Sequence, residues 1–314
     1  MPPVLPCIVG PTACGKTRLA VLTAQAFGGE VVSVDSMQIY RGMTIGTAAP
    51  TPREMEGVPH HMVAVADPAE SWSAARFTAA ADECIRDILS RNQLPVLAGG
   101  TGLYLEAILA GRTFAPGSAG GAVRHALQRQ LEEEGIGPLL EELSRVDPEA
   151  ARRLHPADHK RILRALEVYR ETGRTISQHD RESRELPPRY LPVYIGLAFR
   201  DRADMRELID RRVDGMLAAG LLEEVRALLA AGVPRSATAF QAIGYKELLA
   251  ALDGQCSLEE AVDLVKRRSR QYAKRQLTWL RRNQHIHWIY WEKKRDFHAA
   301  LQIATEILTA QGLQ

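Results

Sequence analysis

Short apolar runs alternate with stretches of helical spacing over the first hundred residues. Runs at 4–9, 30–34 and 94–98 are short and mainly apolar, which predicts buried strands. Between them, apolar residues recur with helical spacing over 16–27 and 75–91. Strands that alternate with helices in this way predict a parallel sheet with helices packed on both faces.

The segment 115–189 differs from what precedes it. It begins with the glycine-rich run 115–121, which predicts a linker, and continues as charged sequence of helical spacing. Gly173 falls where a helix over 157–172 needs a left-handed stop. Because 190–199 is again typical of a strand, we predict an inserted helical subdomain rather than an appended one.

Helical spacing dominates again from residue 202 to about 282, and a late strand over 286–291 follows. The run Ser257–Glu260 has the form of a capping box and predicts the start of a long helix. The predicted fold class is therefore α/β, a P-loop NTPase-like parallel sheet flanked by helices. It is built from 1–114 and 190–314 around an all-helical subdomain at 115–189.

Composition narrows the class of protein without naming a function. The 314 residues are 46% hydrophobic and 25% charged with a net charge of +2, as in ordinary soluble domains. The four cysteines lie far apart without CxxC spacing, so neither a disulfide framework nor a zinc site is predicted. The sequence shows no secretory leader and no membrane span, so we expect a cytoplasmic protein that makes no membrane contact. A monomer is a separate expectation that does not follow from these features.

A glycine motif between the first predicted strand and helix carries the clearest chemical signal. It fits the P-loop pattern G-x-x-x-x-G-K-[ST] and consists of Gly10, Pro11, Thr12, Ala13, Cys14, Gly15, Lys16 and Thr17. Its backbone amides would surround phosphate oxygens, its lysine would neutralise the terminal phosphate, and its threonine would bind Mg²⁺. A tight turn rich in small residues is the alternative.

Asp35 directly follows the second apolar run and begins the segment Asp35–Tyr40. In open α/β sheets, ligands bind at the carboxyl ends of the strands, so this carboxylate is predicted to be a general base beside the phosphate site. The alternative role is structural, as the N-cap of a helix that begins near Ser36.

The third apolar run ends in Gly99–Gly102, where many P-loop kinases and hydrolases carry an aspartate that holds Mg²⁺. A reaction that breaks a carbon–oxygen bond needs its diphosphate leaving group held and neutralised, and not a nucleophile aimed at phosphorus. Thr101 is therefore a candidate donor to a diphosphate oxygen, and an ordinary glycine turn is the alternative.

Basic residues crowd the second half of the predicted long helix, with Tyr272 and Trp279 between them. The run consists of Lys266, Arg267, Arg268, Arg270, Lys274, Arg275, Arg281 and Arg282, and no acidic residue interrupts it. Such a run offers phosphate contacts and stacking surfaces together, which suits a structured RNA with an unpaired base. A solvated helix face is the alternative.

Six motifs, in this order, resemble those of the tRNA dimethylallyltransferase family in its bacterial form. They are Gly10–Thr17, Val34–Tyr40, Gly99–Tyr104, Arg164–Glu167, Gln241–Lys246 and Lys274–Arg281, and they span almost the whole chain. The departure is Cys14, where family members often carry serine or another small residue, at a loop position that acts mainly through its backbone.

The resemblance implies a transferase for tRNA modification. A dimethylallyl group would pass from dimethylallyl diphosphate, bound with Mg²⁺ in the loop often labelled ATP-binding, to the exocyclic N6 amine of the adenosine 3′ to the anticodon. Asp35 would take the amine proton, and Lys16 and Thr17 would hold the diphosphate. Thr101 and Arg212 would stabilise the leaving group, with Arg211 as the alternative to Arg212.

The resemblance also implies contacts with the anticodon stem-loop of tRNA. They would come from Asp35, Ser36, Met37, Gln38, Thr101, Lys160, Arg161, Ile162, Leu163, Arg164, Gln241, Gly244, Lys246, Lys274, Arg275, Gln276, Trp279 and Arg281.

Three other functions compete with this interpretation. A small-molecule P-loop kinase would use Asp35 to orient a hydroxyl group but leaves the basic run unexplained. A transferase acting on free adenine nucleotides would not need the inserted basic helices. An RNA-binding module that uses nucleotide as a switch leaves the placement of Asp35 and Thr101 unexplained.

Overall fold

The structure, a computed structural model, describes residues 2–112, 114–115 and 121–313. It divides into two compact units: Met1–Leu109 with Arg189–Gln314 forms the first, and Ala110–Pro188 forms the second. The linker predicted at 115–121 lies outside the described residues apart from its two end residues.

A six-stranded sheet, with every strand pairing parallel to its neighbours, forms the centre of the first unit, in the order β3-β2-β4-β1-β5-β6. The strands are β1 (Val4–Val9), β2 (Gly29–Val34), β3 (His60–His61), β4 (Leu94–Gly99), β5 (Leu191–Phe199) and β6 (Ile286–Trp291). Val9 of β1 and Val34 of β2 both pair with Gly99 of β4. The loops that follow these three strands therefore meet at one edge of the sheet.

Helices cover both faces of this sheet. The helices of the first unit are α1 (Lys16–Ala26), α2 (Pro52–Met55), α3 (Ala74–Ser90) and α4 (Gly102–Ala110), and, after the second unit, α10 (Arg202–Ala218), α11 (Leu221–Ala230), α12 (Tyr245–Leu252), α13 (Leu258–Leu280) and α14 (Phe297–Ala310). Because side chains alternate along a strand, Leu5 and Val9 of β1 pack in one cluster with Phe77 of α3, whereas Ile8 packs in another with Leu19 of α1. The predicted α/β class is confirmed.

The second unit is helical and has its own apolar core. Its helices are α5 (Ala122–Glu134), α6 (Gly137–Val146), α7 (Pro148–Arg153), α8 (His159–Thr172) and α9 (Ile176–Glu185). The carboxylate of Asp147 is buried, accepts from the Ala150 amide at 3.0 Å and from the Ser177 amide at 3.1 Å, and so joins the starts of α7 and α9. Gly173 ends α8 in the left-handed conformation, as predicted.

Two predicted tRNA contacts of α8 lie in that core. Ile162 and Leu163 are 0% and 1% exposed, because helical spacing turns them toward the apolar face of α8, and this burial does not fit side-chain contact with RNA. The basic residues of α8 that are predicted to contact tRNA lie nearer the surface. Lys160 is exposed, Arg161 pairs with Asp158 at 2.7 Å, and Arg164 is half-buried.

The boundaries of two helices differ from prediction. Helix α8 begins at His159 and not at 157, because the Asp158 side chain caps it. The capping box at Ser257 begins α13 as predicted, but the helix ends at Leu280 and not at about residue 282. None of the helices in the described part of the chain has the length and apolarity that crossing a bilayer requires.

Candidate active site

The loop between β1 and α1, predicted from the sequence to hold phosphate, has a backbone geometry that requires glycine at two positions. Gly10, Ala13 and Gly15 have φ angles of 152°, 66° and 95°. A Cβ atom at Gly10 would lie 2.4 Å from the carbonyl oxygen of Leu197, and one at Gly15 would lie 2.7 Å from the ring of Phe297, so both positions require glycine. Within the described residues no side chain caps α1, which leaves its first amides available to an anion.

Three side chains from distant elements hold this loop in place. Gln276 of α13 accepts from the Thr12 amide at 2.8 Å, and Arg212 of α10 donates to the Thr12 hydroxyl at 3.2 Å. At the other side of the loop, the Trp291 indole at the end of β6 donates to the Cys14 carbonyl at 2.8 Å. The loop is therefore preorganised by the protein before any anion binds.

Asp35 lies at the end of β2, on the same edge of the sheet as the loop. Its Oδ1 atom accepts from the amides of Met37 at 2.9 Å and Gln38 at 3.3 Å. The segment 36–39 forms bends and a turn. Asp35 therefore caps a turn, and the alternative that it is the N-cap of a helix beginning near Ser36 is wrong. These bonds use one carboxylate oxygen and fix the orientation of the other.

The glycines of Gly99–Gly102 have a packing role that the sequence left open. A Cβ atom at Gly100 would lie 2.1 Å from the Gln276 amide nitrogen, and one at Gly102 would lie 2.5 Å from the Trp279 indole. These glycines therefore let α13 approach the end of β4. Between them, the Thr101 hydroxyl accepts from the Ser36 amide at 3.4 Å, next to Asp35.

Two predicted tRNA contacts on α13 are consequently turned toward the protein. Gln276 is buried and bridges the Thr12 amide and the Gly100 carbonyl, the latter at 3.2 Å. Trp279 is partly buried against Gly102 and packs on the apolar core. Gln276 therefore braces the loop between β1 and α1, and this burial does not fit a direct contact with RNA.

Two cavities adjoin at this edge of the sheet. The cavity over the loop measures about 600 Å³ and is lined by the cations Lys16, Arg18, Arg211, Arg212 and Arg295. The second cavity measures about 310 Å³ and is mainly apolar, with Ile209, Val213, Met216, Leu221 and Val265 in its wall. The residues that line both are Thr12, Ala13, Asp35, Thr47, Arg212 and Tyr272. We call them the cationic cavity and the apolar cavity.

Both candidate arginines on α10 line the cationic cavity, but of the two Arg212 alone also lines the apolar cavity. Arg212 reaches Thr12, whereas Arg211 is exposed and pairs with Glu207 at 3.3 Å. Burial lowers the pKa of the Arg212 guanidinium, and the charge of Asp35 acts in the opposite direction. An arginine stays protonated under such shifts, so the site holds a fixed positive charge close to Asp35.

Tyr272 completes the wall between the two cavities. Burial raises the pKa of its phenol to about 12, the charge of Asp35 adds to this, and hydrogen bonds with Thr101 and Gln276 act the other way. The phenol is therefore neutral at physiological pH. Arg275 lies over the Tyr272 ring, 5.7 Å from its centroid, and lines the apolar cavity.

The basic run on α13 is partly neutralised by carboxylates of other helices. The ion pairs are Lys266–Asp214, Arg268–Glu247 and Arg270–Asp210. Among the described residues, Arg267, Lys274 and Arg281 form no ion pair. They line a groove of about 520 Å³ between α10 and α13 together with Arg202 and Arg206. We call this the basic groove.

The remaining predicted tRNA contacts lie around the apolar cavity. Ser36, Met37 and Gln241 line it, and Gln241 is exposed. Gly244 also lines it with φ 99°, and Lys246, the second residue of α12, is exposed. Gln38 lines the cationic cavity instead.

Sequence reasoning missed three residues near the C-terminus that complete the site. Trp291 supports the loop, Arg295 donates to the Ala13 carbonyl at 3.4 Å, and Phe297 packs on Gly15. The sequence offers an indirect signal for these residues, through the strand that ends at Trp291. This strand, β6, pairs with β5, which pairs with β1, so the carboxyl end of β6 lies on the edge of the sheet that carries the loop.

Comparison with known proteins finds two family models that match the chain. The model described as IPP transferase matches residues 38–283, and the model described as Isopentenyl transferase matches residues 4–64. A protein of Caldanaerobacter subterraneus subsp. tengcongensis named tRNA dimethylallyltransferase is 44% identical over 305 residues, which is 97% of this chain and 97% of that protein.

Two solved structures are similar over nearly the full length of the chain. The tRNA isopentenylpyrophosphate transferase of Bacillus halodurans matches with a TM-score of 0.73 and 40% identity, over 98% of this chain and 96% of that chain. A eukaryotic dimethylallyltransferase described as acting on tRNA matches with a TM-score of 0.83 and 28% identity, over 98% of this chain and 80% of that chain.

Proposed function

Because the chain belongs to the tRNA dimethylallyltransferase family, it is a prenyltransferase that acts on tRNA, and we propose that its donor is dimethylallyl diphosphate and its acceptor is the N6 amine of the adenosine 3′ to the anticodon. The observation that carries this proposal is the shared wall of the two cavities. Asp35 and Arg212 stand where the cationic cavity adjoins the apolar cavity. A diphosphate with a short hydrocarbon tail matches that pair of environments.

The diphosphate is expected in the cationic cavity, over the amides at the start of α1. Lys16, Arg212 and Arg295 line this cavity and offset the charge of the donor. The Lys16 ammonium donates to the Pro11 carbonyl at 2.8 Å and would exchange that bond for a phosphate oxygen. As the C1–O bond breaks, negative charge grows on the diphosphate, and these cations and the Thr101 hydroxyl stabilise it.

The oxygen donors of the cationic cavity fit Mg²⁺. Thr17, Asp35 and Glu54 line it, and Mg²⁺ usually binds through one or two protein oxygens, several waters and substrate phosphates. Among the described residues, no cluster of three or more His, Cys, Asp or Glu side chains could hold a metal, so we expect the ion to bind together with the diphosphate through Thr17. When bound, Mg²⁺ would neutralise part of the charge of the leaving group.

Asp35 supplies the base for the acceptor. The lone pair of the adenine amine is delocalised into the ring, so the rate depends on alignment, on leaving-group stabilisation and on removal of the amine proton. The bonds from the Met37 and Gln38 amides hold the Asp35 carboxylate in one orientation. The N6–C1 bond forms as the C1–O bond breaks, and the amine proton passes to Asp35.

The tRNA contacts are proposed for surfaces on each unit. Near the apolar cavity they are Ser36, Met37, Gln241, Gly244, Lys246 and Arg275, and on the basic groove they are Arg267, Lys274 and Arg281. On the helical unit, Lys160 is exposed and offers charge to the RNA backbone, whereas Arg161 pairs with Asp158 at 2.7 Å and Arg164 pairs with Glu167 at 2.9 Å. The target base is unpaired in the anticodon loop, so turning it into the site costs less than flipping a base out of a duplex.

Incubation with labelled dimethylallyl diphosphate, Mg²⁺ and unmodified tRNA tests the proposal, with ATP and AMP as alternative substrates. We expect label in tRNA, and none in a tRNA whose target adenosine is replaced by guanosine. Label on free AMP would favour the nucleotide-specific transferase instead. ATP consumption without RNA would favour the kinase, an alternative that the named relatives do not support.

A further inference from the structure

One carboxylate outside the proposed machinery holds three consecutive backbone amides. Glu224 of α11 accepts from the amides of Thr44 at 2.8 Å, Ile45 at 2.8 Å and Gly46 at 3.1 Å. The same carboxylate accepts from the Tyr245 hydroxyl at 2.5 Å. A carboxylate that accepts several hydrogen bonds from fixed donors is a strong local anchor for the backbone.

Tyr245, which donates its hydroxyl to Glu224, is itself held in place by burial. Tyr245 is fully buried at the start of α12, and burial together with the bond to Glu224 raises the pKa of its phenol, so the hydroxyl remains a donor. The backbone lies directly on it: a Cβ atom at Gly46 would be 2.4 Å from the Tyr245 ring and 2.7 Å from the side chain of Leu221. Gly46 therefore cannot move further toward α11 and α12.

The segment 44–48 is held from its other end as well. The Gln38 amide donates to the carbonyls of Thr47 at 3.3 Å and Ala48 at 3.2 Å, and its oxygen accepts from the Ser33 hydroxyl at 2.8 Å. The segment is thus fixed between β2 on one side and Glu224 on the other. Its position depends on side chains far from it in sequence.

This segment forms a wall of the apolar cavity. Gly46 and Thr47 line the cavity together with Leu221, Val213 and Met216. If the cavity takes the isoprenoid tail, as the proposed function requires, the wall limits the length of that tail. We propose that Glu224 is a specificity-determining positioning residue: by anchoring the amides of 44–46 it fixes the wall that admits a five-carbon group and excludes longer isoprenoids.

The test compares two donors, dimethylallyl diphosphate and the ten-carbon geranyl diphosphate, at saturating tRNA. Glu224→Gln replaces one acceptor oxygen by an amide and loosens the wall. We expect the ratio of kcat/KM for the five-carbon over the ten-carbon donor to fall about tenfold or more, the scale by which hydrophobic pockets discriminate chain length. A loss of fold stability alone would lower both rates together and leave the ratio unchanged.

Glu223→Gln is the matched control, because Glu223 is the neighbouring residue on α11, is exposed and pairs with Arg226 at 2.6 Å on the surface. Its donor ratio should equal that of the wild type. Tyr245→Phe keeps the buried ring, removes one donor to Glu224 and should shift the ratio in the same direction, which keeps the test open if Glu224→Gln does not fold.

Two outcomes separate this inference from the function on which it rests. A wild-type protein that transfers no dimethylallyl group to tRNA would overturn the proposed function. A wild-type protein that does transfer it, with a donor ratio unchanged in Tyr245→Phe and in any folded Glu224→Gln protein, would overturn the role of Glu224.

Discussion

The basic groove allows the proposed tRNA contacts to be measured through their charge. Arg267, Lys274 and Arg281 line it and, among the described residues, form no ion pair. Changing all three to glutamine removes three positive charges and keeps most of each side chain. If each cation meets one phosphate, the triple variant should bind tRNA more weakly at low salt and approach the wild type at high salt.

The size of this effect follows from counterion release. Each phosphate contact contributes about 0.7 to 0.9 to the slope of log K against log salt, so three contacts account for roughly 2 to 3 units of slope. If the electrostatic contribution to tRNA binding vanishes near 1 M salt, losing roughly 2 to 3 units of slope lowers the binding constant roughly a hundredfold or more at about 0.1 M salt. Such a change far exceeds the effect expected of scattered exposed charges.

The assay is equilibrium binding of unmodified tRNA over a salt series. The matched control removes three surface arginines that are already paired with carboxylates, Arg76, Arg200 and Arg226. It changes the net charge of the protein equally, and we expect its slope to stay near that of the wild type. Equal slopes for the groove variant and the wild type would refute the reasoning and leave α13 as a solvated face.

Three further changes test the site and the fold. Asp35→Ala should lower kcat by about 10² to 10⁴ with the tRNA Kd within a few-fold, as for a positioned general base; unchanged turnover would remove Asp35 from that role. Gly102→Ala brings a Cβ atom within 2.5 Å of the Trp279 indole and should cost about 1 to 3 kcal/mol in denaturant unfolding, unless Trp279 is also reduced to alanine. Arg91 lowers the pKa of Glu30 from 4.5 to about 2, so the stability from this carboxylate is complete above pH 4.5 and disappears as pH falls toward 2; Glu30→Gln should flatten that part of the stability curve.

The parts of the site that depend on local sequence were predictable. A strand, a glycine loop and a helix follow one another within 4–27, and each leaves its own signal in apolar spacing and glycine placement. Asp35 was predictable in the same way, because the end of an apolar strand in a parallel sheet is a ligand-binding position. The residues that brace the loop were not. Gln276 contacts Thr12 across 264 positions, and the rotation of α13 that makes this contact depends on packing and not on any nearby pattern.

A structural role for the glycines of Gly99–Gly102 is compatible with the predicted role of Thr101 as a donor to diphosphate. The glycines are needed because Gln276 and Trp279 approach the end of β4 closely, which is a structural reason for small residues there. That close approach also brings α13, with Tyr272 and Arg275, to the edge of the cavities. Packing at the glycines and the position of Tyr272 and Arg275 at the cavities are therefore two consequences of one helix contact, whereas bonds with Ser36 and Val34 place Thr101 beside Asp35.

The basic run shows why charge counted along a sequence overstates the charge available to a ligand. The eight cations on and just after α13 have no acidic residue among them, yet Asp210 and Asp214 of α10 and Glu247 of α12 neutralise three after folding. Folding thus sorts the run into cations that tie α13 to its neighbours and cations that form no ion pair within the described residues. Only the second set can release counterions on binding RNA, so the salt slope should follow the unpaired residues and not the length of the run.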